Sequence, residues 1–172
     1  GNAQAAVIAS AYAFGGDLNN LDPAFEFWTQ MAEDGRINTL DILQQNFETG
    51  EIPVGVIWSF TAIPYKDQIT KYKLQANIPT DGSIMSGYAS VINKYAPHPC
   101  AAALAREYIF SDEGQANLAA AGAIPTRTDV EIPDDIQNAT FKSEDYANAI
   151  PMEDTDAYTK ACETVVERWQ EE

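Results

Sequence analysis

Positive charge is what this 172-residue sequence has least of: ten Lys and Arg stand against 26 Asp and Glu, a formal net charge of −16. A phosphate backbone needs a basic face to bind, so a nucleic-acid partner is strongly disfavoured, and an anionic membrane surface is disfavoured for the same reason. The charge reads first as a solubility device, and second as selection for a cationic ligand. Long apolar runs are missing too. No stretch approaches the roughly 20 apolar residues that cross a bilayer, so direct membrane insertion is not expected. Gly1 to Gln4 read as a chain boundary without a signal-peptide pattern, which leaves location open because export removes such a leader.

Metal and redox chemistry have little to draw on. There are two cysteines, Cys100 and Cys162, and one histidine, His98, with no CxxC or HxxxH spacing to build a zinc site. The cysteines read as buried free thiols on helices, with a disulfide as the alternative in an exported protein. Catalytic signatures are absent as well: no Walker loop, no GxGxxG and no GxSxG. A serine triad would have to use His98, which stands before Pro99 in an ordinary helix-start position. The acidic pairs Asp134-Asp135 and Glu153-Asp154 read as solvated loop carboxylates with no apolar pocket to raise a pKa. The sequence predicts no enzyme, no metal and no cofactor.

What is present is apolar content of 45% with 10% aromatic residues, enough for a folded core. Residues 5–14 are small and apolar and run into a Gly15-Gly16-Asp17 turn. Asp22-Pro23 is a helix start, with Asp as cap and Pro at the first position. Capping and periodicity predict helices at 22–34, 39–49, 99–110 and 156–170, a helix broken near Pro64, a further helix after Ser111, and loop over 129–140. Short apolar runs predict strands at 52–58, 74–78 and 84–93. Helices alternating with short strands indicate an α/β architecture. Phe25, Trp28, Phe47, Tyr108 and Trp169 fall at helical core positions and are expected to pack inward, as are Ala101, Leu104 and Ala105 on one helix face.

The order of segments then becomes specific. Leu43–Ile57 (LQQNFETGEIPVGVI) resembles the middle of family 1 extracellular solute-binding proteins, where a helix ending in a Gly-Glu turn feeds a strand. Further on, Pro79, Asp81 and Gly82 make a P-x-D-G turn. After it, Ser111, Glu113, Gly114, Gln115, Gly122, Ile124, Pro125 and Arg127 match that family's S-x-E-G-Q and G-x-I-P-x-R patterns in order and spacing. The resemblance covers about residues 8–132. It implies a type II periplasmic-binding-protein-like fold, two α/β lobes closing over a ligand, in a solute-binding component of an ABC importer that meets a permease. The location it implies is extracellular or periplasmic, with a lipoprotein tether. A complete member is about twice this length, so residues 1–76 and 128–172 are expected to form the second lobe. Residues 77–127 would form the crossover and a returning part of the first lobe.

Ligands in open α/β sheets sit beyond the carboxyl ends of strands. Trp58, Ser59 and Phe60 hold such a place, and Trp58 reads equally as a stacking platform or a core residue. Gly15, Gly16 and Asp17 form the matching turn of the first unit, with a plain structural turn as the favoured reading. Ser86, Gly87 and Tyr88 belong to the strand that faces the cleft in the family. Adjacent tyrosines typical of iron-binding members are absent, and basic residues near this cleft are scarce. A polyamine-like solute is therefore expected first, a sugar second and an oxyanion such as a phosphonate third. A protein-interaction or adaptor domain is the competing class, marked by a large exposed apolar patch.

Overall fold

A computed structural model describes residues 1–171, except the side chain of Ser143; Glu172, the last residue of the expected second lobe, lies outside the described residues. The core forms around a helix whose type the sequence left open. Residues 2–13 wind into α1 (Asn2–Ala13). Ala5, Val7, Ile8 and Ala11 are buried there, because α2 (Asp22–Glu33), α8 (Thr155–Arg168) and the short strand β1 (Ile84–Met85) close around it. Leu21, just before the second helix, and Ala24 and Phe25 within it contribute, with Ala161 and Val165 from the last. Trp28 packs on this cluster and its indole N–H donates to Ser10 Oγ at 2.9 Å. Pro23 stands in the first turn of α2, as expected. Asp22 does not cap that helix; its carboxylate instead accepts a bond from Arg168 of α8 at 2.7 Å.

A second, smaller cluster forms where α3 (Gln44–Thr49) meets the chain after it: Phe47, Ile52 and Ile69 are buried together with help from Tyr65 and Leu74. The expected 39–49 helix therefore begins only at Gln44, since 39–43 is irregular, with Asn46 Nδ2 donating to the Asp41 carbonyl at 2.8 Å. Next comes α4 (Ser59–Gln68), which continues through Pro64 rather than breaking there. Pro64 has no N–H to offer the Phe60 carbonyl, and the helix ends one turn later at Ile69.

The expected strands are the main departure. Ile84–Met85 is the part of the 84–93 run that is strand, and it pairs in parallel with β2 (Ile150–Pro151), Ile84 opposite Ile150. Residues 52–58 and 74–78 carry no strand. The exposure of 74–78 still alternates residue by residue, with Leu74, Ala76 and Ile78 half-buried. A strand needs a neighbour to take its ladder hydrogen bonds, and among the described residues neither run has one. This is a helix-rich mixed architecture with few strands.

The C-terminal half adds α5 (Pro99–Ile109), α6 (Asp112–Ala120) and α7 (Asp134–Ala139), the last inside the stretch expected to be loop. A short 3₁₀ turn follows at Ser143–Tyr146. No residue of α5 is buried. Leu104 is 72% exposed and Tyr108 46%, and Ala101 and Ala105 are exposed beside them. The apolar face was legible, but none of the described residues covers it. Trp169 is likewise exposed at the rim of the main cluster, 6.3 Å from the Trp28 ring. The cysteines are free, and Cys100 is exposed rather than buried because it lies on that uncovered helix. The accessible surface is 11682 Å², against about 8,300 Å² for a compact monomer of this mass.

Candidate functional site

The motif that carried the resemblance turns out to be a clamp. Ser111 caps α6, accepting from the Gly114 N–H at 3.1 Å. Gly114 is glycine because a Cβ there would collide with the carbonyls of Tyr108 and Ile109 at the end of α5. Gln115, fully buried, donates to the Ile109 carbonyl at 2.8 Å, and its side-chain oxygen accepts from the amides of Thr126 and Arg127 at 2.8 and 3.1 Å. Arg127 then reaches Asp112, Asp129 and the Phe110 carbonyl. Its guanidinium holds the Asp129 carboxyl below the usual range. The clamp fixes the path of Gly122–Thr126, and that path is one wall of a cavity.

The cavity has a volume of about 620 Å³, within the range of small-molecule sites. Its other walls are the first half of α1, the chain from Val56 into α4, the turn and strand from Gly82 to Tyr88, and the segment from Phe141 to Glu153. Trp58, Ser59, Phe60, Ser86 and Tyr88, five residues singled out from sequence, all line it together with Gly87. Trp58 is the half-buried residue just before α4, and Ser59 and Phe60 open that helix. The Tyr88 ring stands edge-on to Phe60 at 6.0 Å, and Phe141 and Tyr146 form a second edge-on pair at 6.0 Å. Burial pushes the Tyr146 phenol above its ordinary pKa; its hydrogen bond with Ser59 works the other way, and the charge of Asp145 adds to the rise. That bond ties the 3₁₀ turn to the start of α4. On α8, burial with the nearby Cys162 and Tyr88 pushes Tyr158 up to about 12.

Gly16 and Asp17 do not line the cavity. They build the turn after α1: Gly15 has φ +87°, a Cβ on Gly16 would collide with the Asn20 carbonyl, and the Asp17 carboxylate accepts from the amides of Asn19 and Asn20 at 2.7 and 3.0 Å. Phe141, Tyr146 and Glu153 were missed. The first two are aromatics in a region otherwise rich in Pro and Asp, a signal available in the sequence. Glu153 and Asp154 read as one solvated pair, yet they part company. Asp154 caps α8, accepting from the Ala157 N–H at 2.9 Å, while Glu153 stands at a largely apolar cavity.

No three His, Cys, Asp or Glu come together to hold a metal among the described residues. The arrangement offers aromatic faces, hydroxyls and one carboxylate, which suits binding. A profile of the bacterial extracellular solute-binding protein family matches residues 1–150. The chain belongs to that family. No curated protein matches the chain. Membership confirms the solute-binding resemblance, and with it a transport role in capturing a solute. It is compatible with the periplasmic-binding-protein-like fold and with work outside the cytoplasm. No helix among the described residues is long and apolar enough to cross a membrane.

Proposed function

We propose that this solute-binding protein is the capture component of an ABC importer, taking a small polar organic solute, polyamine-like or sugar, into the aromatic cavity and presenting it to a permease. The observation that carries this reading is the convergence of Trp58, Ser59, Phe60, Ser86 and Tyr88 on one cavity in a chain of this family. The protein acts by binding, without catalysis, and works at the extracellular or periplasmic face under a lipoprotein tether. An oxyanion such as a phosphonate ranks last, since no Lys, Arg or His among the described residues lines the cavity. Residues 1–76 and 128–172 form the second lobe; 77–127 form the crossover and a returning part of the first. Two observations support this division: the unpaired strand-like runs, and the bare face of α5, both features of elements whose neighbours lie elsewhere in sequence. With half the cleft wall contributed from elsewhere, affinity in this chain alone is weak but still saturable at high ligand concentration. An adaptor that docks protein on that bare face, at Leu104 and Tyr108, is the second reading.

The test is Trp58→Ala, read for both ligand affinity and stability. As a stacking platform, Trp58 contributes about 1–2 kcal/mol to affinity, and stability falls modestly. A loss of about 3–5 kcal/mol of stability, the cost of truncating a buried Trp, with unchanged affinity would remove Trp58 from the site.

A further inference from the structure

The chemistry of the cavity wall goes further than its shape. Among the described residues, Glu153 is the only Lys, Arg, His, Asp or Glu that lines it. Its neighbour Asp154 is occupied in capping α8, whereas the Glu153 carboxylate makes no hydrogen bond or ion pair with the described residues. Arg127, the basic residue closest in sequence to the Gly122–Thr126 wall, has its guanidinium engaged by Asp112 and Asp129 at 2.7 and 2.6 Å. One negative charge is thus left at the cavity wall, with no counter-ion among the described residues.

The rest of the wall favours a cation of a particular kind. Trp58, Phe60, Tyr88, Phe141 and Tyr146 all line the space, with Phe60–Tyr88 and Phe141–Tyr146 in edge-on pairs, so aromatic rings supply much of its wall. Ring faces attract ammonium groups most strongly where water is displaced. A carboxylate and aromatic faces together can replace the hydration of one ammonium group. A second or third ammonium would enter a wall that offers only hydroxyls, amides and apolar side chains, and burying an unpaired charge there is costly. The overall charge of −16 draws cations toward the protein, but it does not discriminate between one charge and three.

We propose that the cavity selects organic cations bearing a single positive charge, held at Glu153 against the aromatic wall, in preference to polyamines, neutral sugars and anions. This rests on the cavity being the solute site and narrows the small polar organic solute proposed above, setting a singly charged cation ahead of the polyamine and sugar named there. The experiment is a titration of the intact chain with choline, putrescine, spermidine, glucose and methylphosphonate, followed by ligand-observed NMR and calorimetry at matched ionic strength. Choline is expected to bind best, with roughly tenfold or greater loss in Glu153→Gln, on the scale of one paired charge, and partial retention in Glu153→Asp. Glu153 is exposed, so both variants are expected to fold, which circular dichroism checks. Spermidine or putrescine binding as well as choline overturns the single-charge inference and leaves solute capture standing, as does glucose or methylphosphonate binding ahead of choline. Choline affinity unchanged in Glu153→Gln overturns the role of that carboxylate. Absence of saturable binding by all five overturns the inference and the reading of the cavity together.

Discussion

Helices α1 and α5 are close in length, 12 and 11 residues, and both are rich in alanine with a few larger apolar side chains. Their fates differ completely. The first is enclosed by α2, α8 and β1 and holds Ile8 and Ala11 with no exposure at all. The second touches α6 at its end and buries none of its residues. Composition does not decide which helix becomes core; the supply of neighbouring surfaces does. A chain that specifies an apolar helix face and then leaves it in water carries a surface selected for something other than this chain's own packing.

The sharpest way to break the comparison is truncation on each side of it. Ile8→Ala is expected to cost about 3 kcal/mol of unfolding free energy, and Leu104→Ala less than about 0.5 kcal/mol, both read by urea denaturation. Equal costs would show that α5 is covered in solution. The next effect concerns the clamp that joins the uncovered region to the cavity. Gln115→Ala leaves the amides of Thr126 and Arg127 and the Ile109 carbonyl without their partner, and is expected to cost about 2 kcal/mol. Hydrogen exchange should show the loss first at those two amides; protection unchanged there would mean that the wall is held by something else.

A smaller effect separates the packed face of α8 from the exposed tyrosines. Tyr158 is pushed up to about 12 in the folded protein, against an ordinary 10.0. A raised folded value means that the unfolded chain loses the proton first. The contribution is therefore complete below about pH 10 and is lost as pH rises toward 12. Ultraviolet titration of the eight tyrosines should show a late-ionising component that disappears in Tyr158→Phe. Helicity should decline through the same window. A single transition near pH 10, with Tyr158→Phe indistinguishable from the unsubstituted protein, would mean that Tyr158 is solvated.

Local signals carried most of the helices. Pro23, Pro99 and Ser111 start helices where their chemistry says they should, and the Ser111–Arg127 spacing found both the family and, unrecognised, the clamp behind the cavity wall. Strands were misjudged for a physical reason. The short apolar run of 52–58 and the alternating 74–78 each encode an extended segment, but a ladder belongs to two segments and neither run finds its second among the described residues. Burial on α5, and so of Cys100 and Tyr108, failed on the same ground. In the cavity, Trp58, Ser59 and Phe60 were visible as a strand-like end meeting a helix start. Tyr146 and Glu153 reach the same space from far along the chain; the aromatic at Tyr146 stood out in its Pro- and Asp-rich region, but nothing local announces where it and Glu153 would meet.

The central claim, that the Trp58 cavity is where solute binds, is tested most directly by the three indole N–H resonances of ¹⁵N-labelled protein during titration with choline, putrescine and glucose. Trp28 and Trp169 lie together on the α1–α2–α8 cluster, 6.3 Å apart, while Trp58 lines the cavity. Saturable movement of the Trp58 resonance alone, lost from the spectrum in Trp58→Phe and abolished for the titrated ligand in a cavity-filling Gly87→Trp variant, is the predicted result. Movement of Trp28 or Trp169 with Trp58 still would place the solute elsewhere and contradict the account.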